Sequence, residues 1–466
     1  MLPAPSAQDR QTVTAASRPE RWKVGLALVS LALSLLLWLN GLIDSLSRPS
    51  VGNALNRRQL ELTVLAEPQL TGVLRPLLAG GEPLLSLKQA LESERTSAAE
   101  AGQALDPNLE LELALVHQRL NQPQQAEPLL HSVAAAGGPE ASLAAALLRG
   151  SGDAGLTSQP SHELVRLWSC EALSANNPNR CGTHAIEQNA ALRLLAVSGT
   201  PVLLLLLGSA LLLRELWMRW KGLSPAAPAL QGPLLSGVDA VLLIAGGFVV
   251  VGELLTPLLV APLLAGLLQT MAVASPLREG ITVVSLYLAL MAGPLVILGL
   301  QLRGQEAAAL QFRWAPLVRS LRGALKGFLM VLPMVTLVGW LQGQLWGDAG
   351  GSNPLLELVL NSHNVPALAC FGFTAIVLAP LFEETLFRGA LLPVAARQLG
   401  PTGGVLLSAL IFAVAHLSLG ELLPLLVLGT GLGWLRWSGG RLGSCVLMHA
   451  LWNALTFTNL VVLGWS

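Results

Sequence analysis

The chain has 466 residues, 53% of them hydrophobic and 12% charged, with 28 Lys+Arg balancing 28 Asp+Glu. That charged share is about half of what a soluble globular domain carries, and the apolar residues come in blocks, as they do in a chain that crosses a bilayer. A neutral balance without a basic patch excludes a nucleic-acid-binding protein and implies no strongly charged partner.

Residues 1–22 are polar, and Arg10, Arg18, Arg21 and Lys23 precede the first apolar block, Val24 to Ile43. About 20 apolar residues suit a full crossing and are long for a signal-peptide core. No convincing cleavage site follows, so 23–44 reads as an uncleaved membrane anchor behind a cytoplasmic tail. Between 45 and 190 charges return, with Leu and Ala at helical spacing. Segments 109–120 and 123–136 predict a helix–turn–helix pair with Asn121 and Gln122 at the turn, inside a soluble helical domain. Cys170 and Cys181 lie in this polar region and would bridge if it faces an oxidising compartment. Cys370 and Cys445 sit in apolar blocks and read as core.

Apolar blocks resume at about 192–213, 236–265, 281–302, 323–343, 367–391, 402–418, 421–437 and 443–463. The expected fold is all-α: a multi-pass helical membrane bundle of about nine spans, with an extramembrane, mostly helical domain inserted after the first. Segments 191–343 and 344–466 form its two membrane parts. Block 236–265, with Glu253, Pro257 and Pro262, reads either as one kinked span or as a span plus a re-entrant piece. Glu253 reads as a polar contact or the mark of a bend. Arg214, Arg219, Lys221, Arg303, Arg313, Arg319, Arg322, Lys326, Arg397, Arg436 and Arg441 alternate with Lys/Arg-poor loops. The positive-inside rule then places the N-terminus in the cytoplasm and 45–190 on the outer side, in a bacterial plasma membrane or an internal membrane. Arg397, Arg436, Arg441 and Glu421 read as solvated loop or edge charges. His117, His131, His162, His184 and His363 read as solvated too.

Ionisable residues inside a bilayer cost of order 2–4 kcal/mol each and so point to function. Glu383, Glu384 and Arg388 stand in an otherwise uncharged run. Glu383 precedes Gly400 by about 17 residues and His416 follows it by about 16, so a hairpin turning at 398–404 puts acid and imidazole at one height, roughly 25 Å along the helices. Glu384 with Arg388, Phe412 with His416, and His449 with Asn453 are each i,i+4 pairs. Such a set suits hydrolysis where water is scarce. A desolvated Glu is a stronger base, His416 would orient the water, and His449 and Asn453 would face the developing oxyanion. Alternatively Glu383, His416 and His449 would hold a divalent metal such as zinc. There is no HExxH, and spacing alone leaves both readings open. A non-catalytic scaffold, or a transporter using the charges as a relay, is the alternative from another class.

EETLFR (383–388), FAVAH (412–416) and HALWN (449–453) together resemble the CPBP intramembrane protease family, which includes the type II CAAX prenyl endopeptidases and Abi-like proteins. The resemblance spans at most 320–466. It implies a membrane endopeptidase acting on a protein or peptide substrate within the lipid bilayer. Glu383 and His416 would activate water, His449 and Asn453 would form the oxyanion side, and Glu384 and Arg388 would support them. Family members are described both as metalloproteases and as metal-independent glutamate proteases, so the resemblance leaves the metal open. It does not indicate whether the substrate is prenylated.

Overall fold

A computed structural model describes residues 20–47, 51–100, 102, 104–150, 162–174, 181–224, 226–306, 309–346, 351 and 353–465. Of the expected cytoplasmic tail, all but its last three residues lie outside this set. The described residues are helical, without a strand. In chain order the helices used below are α1 (Arg21–Ser45), α2 (Val51–Ala66), α3 (Pro83–Glu100), α4 (Pro107–Arg119), α5 (Pro123–Ala136), α6 (Pro139–Arg149) and α7 (Glu163–Leu173). They continue as α8 (Thr183–Trp220), α9 (Gly237–Thr270), α10 (Leu277–Gln301), α11 (Leu317–Trp346), α12 (Val365–Val414), α13 (Leu422–Gly439) and α14 (Leu442–Gly464).

Among the described residues, seven of these (α1, α8 to α12 and α14) are long and apolar enough to cross a membrane. The expected count of about nine differs for two reasons. Blocks 367–391 and 402–418 are the two arms of α12, which meet at the non-helical Gly400 and are counted there as one, and the 18-residue α13, which carries Arg436, falls outside the set. Block 236–265 is one uninterrupted helix, α9, widened into a π-helix over Leu242–Leu255.

The chain divides into two compact units. One comprises 48–214, 345–363 and 454–466. Its helices α2 to α7 enclose a core of Leu62, Leu87, Leu91, Leu111, Leu115, Val133 and Leu143. The expected pair is present as α4 and α5. Asp106 caps α4 by accepting from the Asn108 backbone N–H at 3.0 Å, and Pro107 fills the first helical position, where no backbone donor is needed. Asn121 takes a left-handed φ of 55° at the turn, and Pro123 opens α5. Cys170 and Cys181 are disulfide-bonded. His117 is not solvated as expected: it is buried, its Nδ1 2.9 Å from Gln122 Oε1, because the tight turn folds Gln122 back over α4.

This unit also buries the acids Glu61, Glu110 and Glu112. Arg57 Nε lies 3.3 Å and Arg58 Nη1 3.5 Å from Glu61, and Arg58 Nη1 contacts His162 Nδ1 at 2.6 Å. His162 is thus half-buried in an ion-pair network rather than solvated. Burial, and then the charge of Glu61, push the Glu112 carboxyl well above the usual range. Burial acts the same way on Glu61, but a hydrogen bond with His162 and the charge of Arg58 outweigh it and hold Glu61 low. Glu61, Glu112 and His162 also bring ligand atoms within 4.8 Å of one another. Arg57 and Arg58 balance Glu61 and Glu112 is pushed towards its neutral form, so the cluster reads as a charge-balanced core.

The other unit comprises 1–47, 215–344 and 364–453. Its outer helices reverse the soluble pattern. Leu28 and Leu36 of α1 and Leu263 of α9 are exposed, while Ser30 and Ser34 are buried, Ser34 Oγ donating to the Ala245 carbonyl at 3.0 Å. Between membrane helices such small-residue packing and interhelical hydrogen bonds replace a hydrophobic drive. The centre is aromatic: Phe387 packs edge-on to both Phe248 and Phe412, at 5.9 and 5.6 Å between ring centroids.

α12 folds back on itself. Gly400 has φ 75°, a left-handed value that suits glycine, and Pro401 starts the second arm. A Cβ on Gly404 would lie 2.7 Å from the Ala396 backbone nitrogen, so glycine there lets the arms touch. Further along, Ser408 Oγ donates to the Phe387 carbonyl at 3.0 Å. This is the antiparallel hairpin expected from the turn at 398–404.

At one end of this unit, arginines gather on irregular backbone. Arg436 Nη2 donates to the Gln231 carbonyl and Arg397 Nη2 to the Leu235 carbonyl, both at 2.7 Å. Arg441 Nη1 donates to the carbonyls of Arg313 and Ala315. The expectation of solvated loop charges fails most clearly for Arg436, which is fully buried. Carbonyls of the non-helical segments 226–236 and 309–316 need donors, and the arginines supply them.

Candidate active site

Two π-helical stretches, Thr374–Leu378 and Thr385–Leu391, flank the short α-helical piece Ala379–Glu384 in the first arm of α12. Such local widening is frequent at functional sites, and here it carries the EETLFR segment.

Glu384 and Arg388 are both fully buried, and Arg388 Nη1 donates to Glu384 Oε1 at 2.8 Å. Arg388 Nη2 donates to the Gly429 carbonyl at 3.1 Å. Its guanidinium carbon stands 4.3 Å from the centroid of the Phe412 ring, a cation–π contact. The i,i+4 pairing expected from spacing is therefore present, and it also ties α12 to α13.

His449, brought by α14, is the residue that joins the acids. Its Nδ1 lies 3.0 Å from Glu384 Oε1 and its Nε2 4.0 Å from Glu383 Oε2. Arg388 donates to this same Glu384 oxygen, and with the imidazole neutral Nδ1 of His449 is its second donor. That leaves Nε2 with a lone pair aimed towards Glu383. Glu383 Oε2 is buried and has no hydrogen-bond partner among the described residues. Its other oxygen, Oε1, accepts from the Tyr287 hydroxyl of α10 at 3.1 Å.

His416 is reached differently from the expectation. The hairpin does bring the two stretches alongside each other, since Phe387 meets Phe412 across it. Among the described residues, however, no hydrogen bond or ion pair joins His416 to Glu383. His416 Nδ1 donates to the Phe412 carbonyl at 2.8 Å. Its ring packs on Phe412 at 4.7 Å, and His449 meets the same ring at 5.7 Å. Phe412 is thus the shared wall of the site, touched by both imidazoles and by Arg388. Asn453 donates through Nδ2 to the Ala375 carbonyl at 2.8 Å, one of its two amide hydrogens.

The zinc arrangement needs three converging ligand atoms. Glu383 and His449 approach each other, but Glu383, His416 and His449 do not form a group with ligand atoms within 4.8 Å, unlike Glu61, Glu112 and His162. These side chains do not fit a three-ligand metal.

Sequence reasoning missed Tyr287. Its signal was faint: it is the chain's single tyrosine, a hydroxyl on an apolar helix. Glu253 was noticed, and it makes a polar contact, accepting from Trp38 Nε1 of α1 at 3.0 Å.

The fold and site define a polytopic helical membrane protein with a buried acid–imidazole–guanidinium cluster. Residues 365–455 match the family described as type II CAAX prenyl endopeptidase Rce1-like. All three motifs fall inside the match. Residues 52–192 match a domain of unknown function (DUF8675). No curated protein and no solved structure matches the chain.

Proposed function

We propose that this protein is an intramembrane endopeptidase whose nucleophile is a water held between Glu383 and His449. The observation that carries this reading is the facing of two acceptors, Glu383 Oε2 and His449 Nε2, 4.0 Å apart in a buried place. Two lone pairs at that separation are satisfied by a molecule that donates two hydrogens, and water does so with bonds of ordinary length.

The reaction then balances with the chain's own groups. The water oxygen bonds to the peptide carbonyl carbon as one of its protons passes to Glu383 Oε2. His449 Nε2 holds the other hydrogen and fixes the attack direction, with Glu384 and Arg388 fixing His449. The oxyanion is met by the second amide hydrogen of Asn453. As the C–N bond breaks, Glu383 returns its proton to the leaving nitrogen. His416, across Phe412, supplies its Nε2 to the incoming peptide or water.

The same reading keeps the membrane arrangement expected from charge: N-terminus cytoplasmic, 45–190 outward, and catalytic helices in the segment 344–466. The gathering of Arg313, Arg397, Arg436 and Arg441 with two irregular segments supports a common side for those residues. The Cys170–Cys181 bridge supports an oxidising side for the inserted domain.

The test is cleavage of a library of membrane-segment peptides by the purified full chain in lipid nanodiscs. Glu383→Gln keeps the shape and removes the base, so the rate falls roughly 100- to 10,000-fold, the usual worth of a positioned general base. Full activity in that variant refutes the assignment.

A further inference from the structure

We infer that Tyr287 is a positioning residue of the catalytic acid, so that the working site extends beyond the 365–455 domain into α10. This rests on the reading of Glu383 as the base. Three observations place Tyr287 there. Its hydroxyl donates to Glu383 Oε1 at 3.1 Å. Its ring meets the ring of Phe382, the residue before Glu383, edge-on at 6.1 Å. And α10 is pressed onto the start of α12 where Gly280, two turns before Tyr287 on the same face, sits so close that a Cβ would lie 3.0 Å from Ala367.

The consequence follows from the geometry of a carboxylate. A carboxyl group on a flexible two-carbon stem rotates unless one oxygen is fixed. Tyr287 fixes Oε1, and the rigid carboxylate plane then directs Oε2 to the side where His449 Nε2 stands. Phe382 packs against the phenol ring from the side. Arg388 does the same for Glu384 from within α12, but Glu383 has no such partner on its own helix. Its anchor comes from a helix about a hundred residues upstream, which is why a motif search confined to the last three spans does not find it.

Two measurements on the full chain test this. In the peptide assay, Tyr287→Phe lowers kcat roughly 10- to 100-fold, the worth of a hydrogen bond to a charged group, and leaves KM within about twofold. A residue that merely packs would change the thermal midpoint rather than this split. If Glu383→Gln is inactive and Tyr287→Phe keeps its kcat, Tyr287 does not position the base, while the endopeptidase reading stands. If Glu383→Gln is itself active, both fall. The second measurement does not depend on turnover. Since Tyr287 is the chain's one tyrosine, biosynthetic 3-fluorotyrosine labels this position alone. Its fluorine resonance shifts on Glu383→Gln if the phenol bonds that carboxylate, and an unmoved resonance overturns the inference.

Discussion

Replacing Arg388 by methionine tests the most deeply buried charge pair among the described residues. Arg388 and Glu384 are both 0% exposed, so the substitution leaves a carboxylate that water cannot reach. Removing one partner of such a pair costs about 3–5 kcal/mol, because the remaining charge stays desolvated. One partner survives: His449 Nδ1 still reaches the same Glu384 oxygen at 3.0 Å, which puts the loss near the lower end. At about 2–4 °C per kcal/mol for a unit of this size, a loss of about 3 kcal/mol lowers the melting temperature by roughly 6–12 °C. The assay is thermal unfolding of purified protein in detergent, followed by tryptophan fluorescence. The double variant Glu384→Gln/Arg388→Met removes the charge along with its partner. It is expected to recover most of the loss, since a neutral replacement of a buried pair is often tolerated. Arg388→Lys recovers less, because a single ammonium cannot serve both Glu384 and the Gly429 carbonyl from a planar fork. If Arg388→Met melts with wild type, or the double variant melts no higher than the single one, desolvated charge is not what Arg388 balances.

Two further outcomes follow in the inserted helical region. The Glu112 carboxyl, raised above its ordinary 4.5 by burial and then by Glu61, binds its proton more tightly folded than unfolded. Its contribution to stability is present below pH of about 4.5 and is lost as pH rises towards the folded pKa. Glu112→Gln, which needs no proton, therefore protects the α4 backbone from hydrogen exchange more than wild type at pH 8 and equally at pH 4; a difference independent of pH refutes this. In the oxidised, denatured chain only Cys370 and Cys445 titrate as thiols, and Cys170→Ala/Cys181→Ala loosens that region by about 3 kcal/mol, the worth of closing a short loop. Four titratable thiols in protein purified without reductant would contradict the bridge.

Composition and the spacing of apolar blocks were enough to determine an all-helical membrane chain, the α4–α5 pair, the turn at Gly400 and the Glu384–Arg388 contact. Each is local: a block's length against a bilayer's thickness, a cap before a proline, a four-residue helical step. The span count was less legible, because block length alone does not say whether a short apolar helix such as the 18-residue α13, which carries a buried arginine, crosses a membrane by itself. The roles of the arginines were hidden for a related reason. Arg436 sits in what reads as a turn, yet it is fully buried, because a distant irregular segment needs its donors.

The site divides the same way. The three i,i+4 pairs named Glu384, Arg388, His416, His449 and Asn453, since residues four apart share a helix face, and Glu383 stood out as an acid in an uncharged run. Which imidazole meets which acid was decided only by packing. His449, from the last helix, reaches both carboxylates at 3.0 and 4.0 Å, while His416 turns its Nδ1 to its own helix. Height along a helix follows from residue count, but the direction of a side chain across a bundle depends on how the helices are rotated against one another. That rotation is set by the close approach of small residues, by π-helical turns and by a tyrosine arriving from another helix.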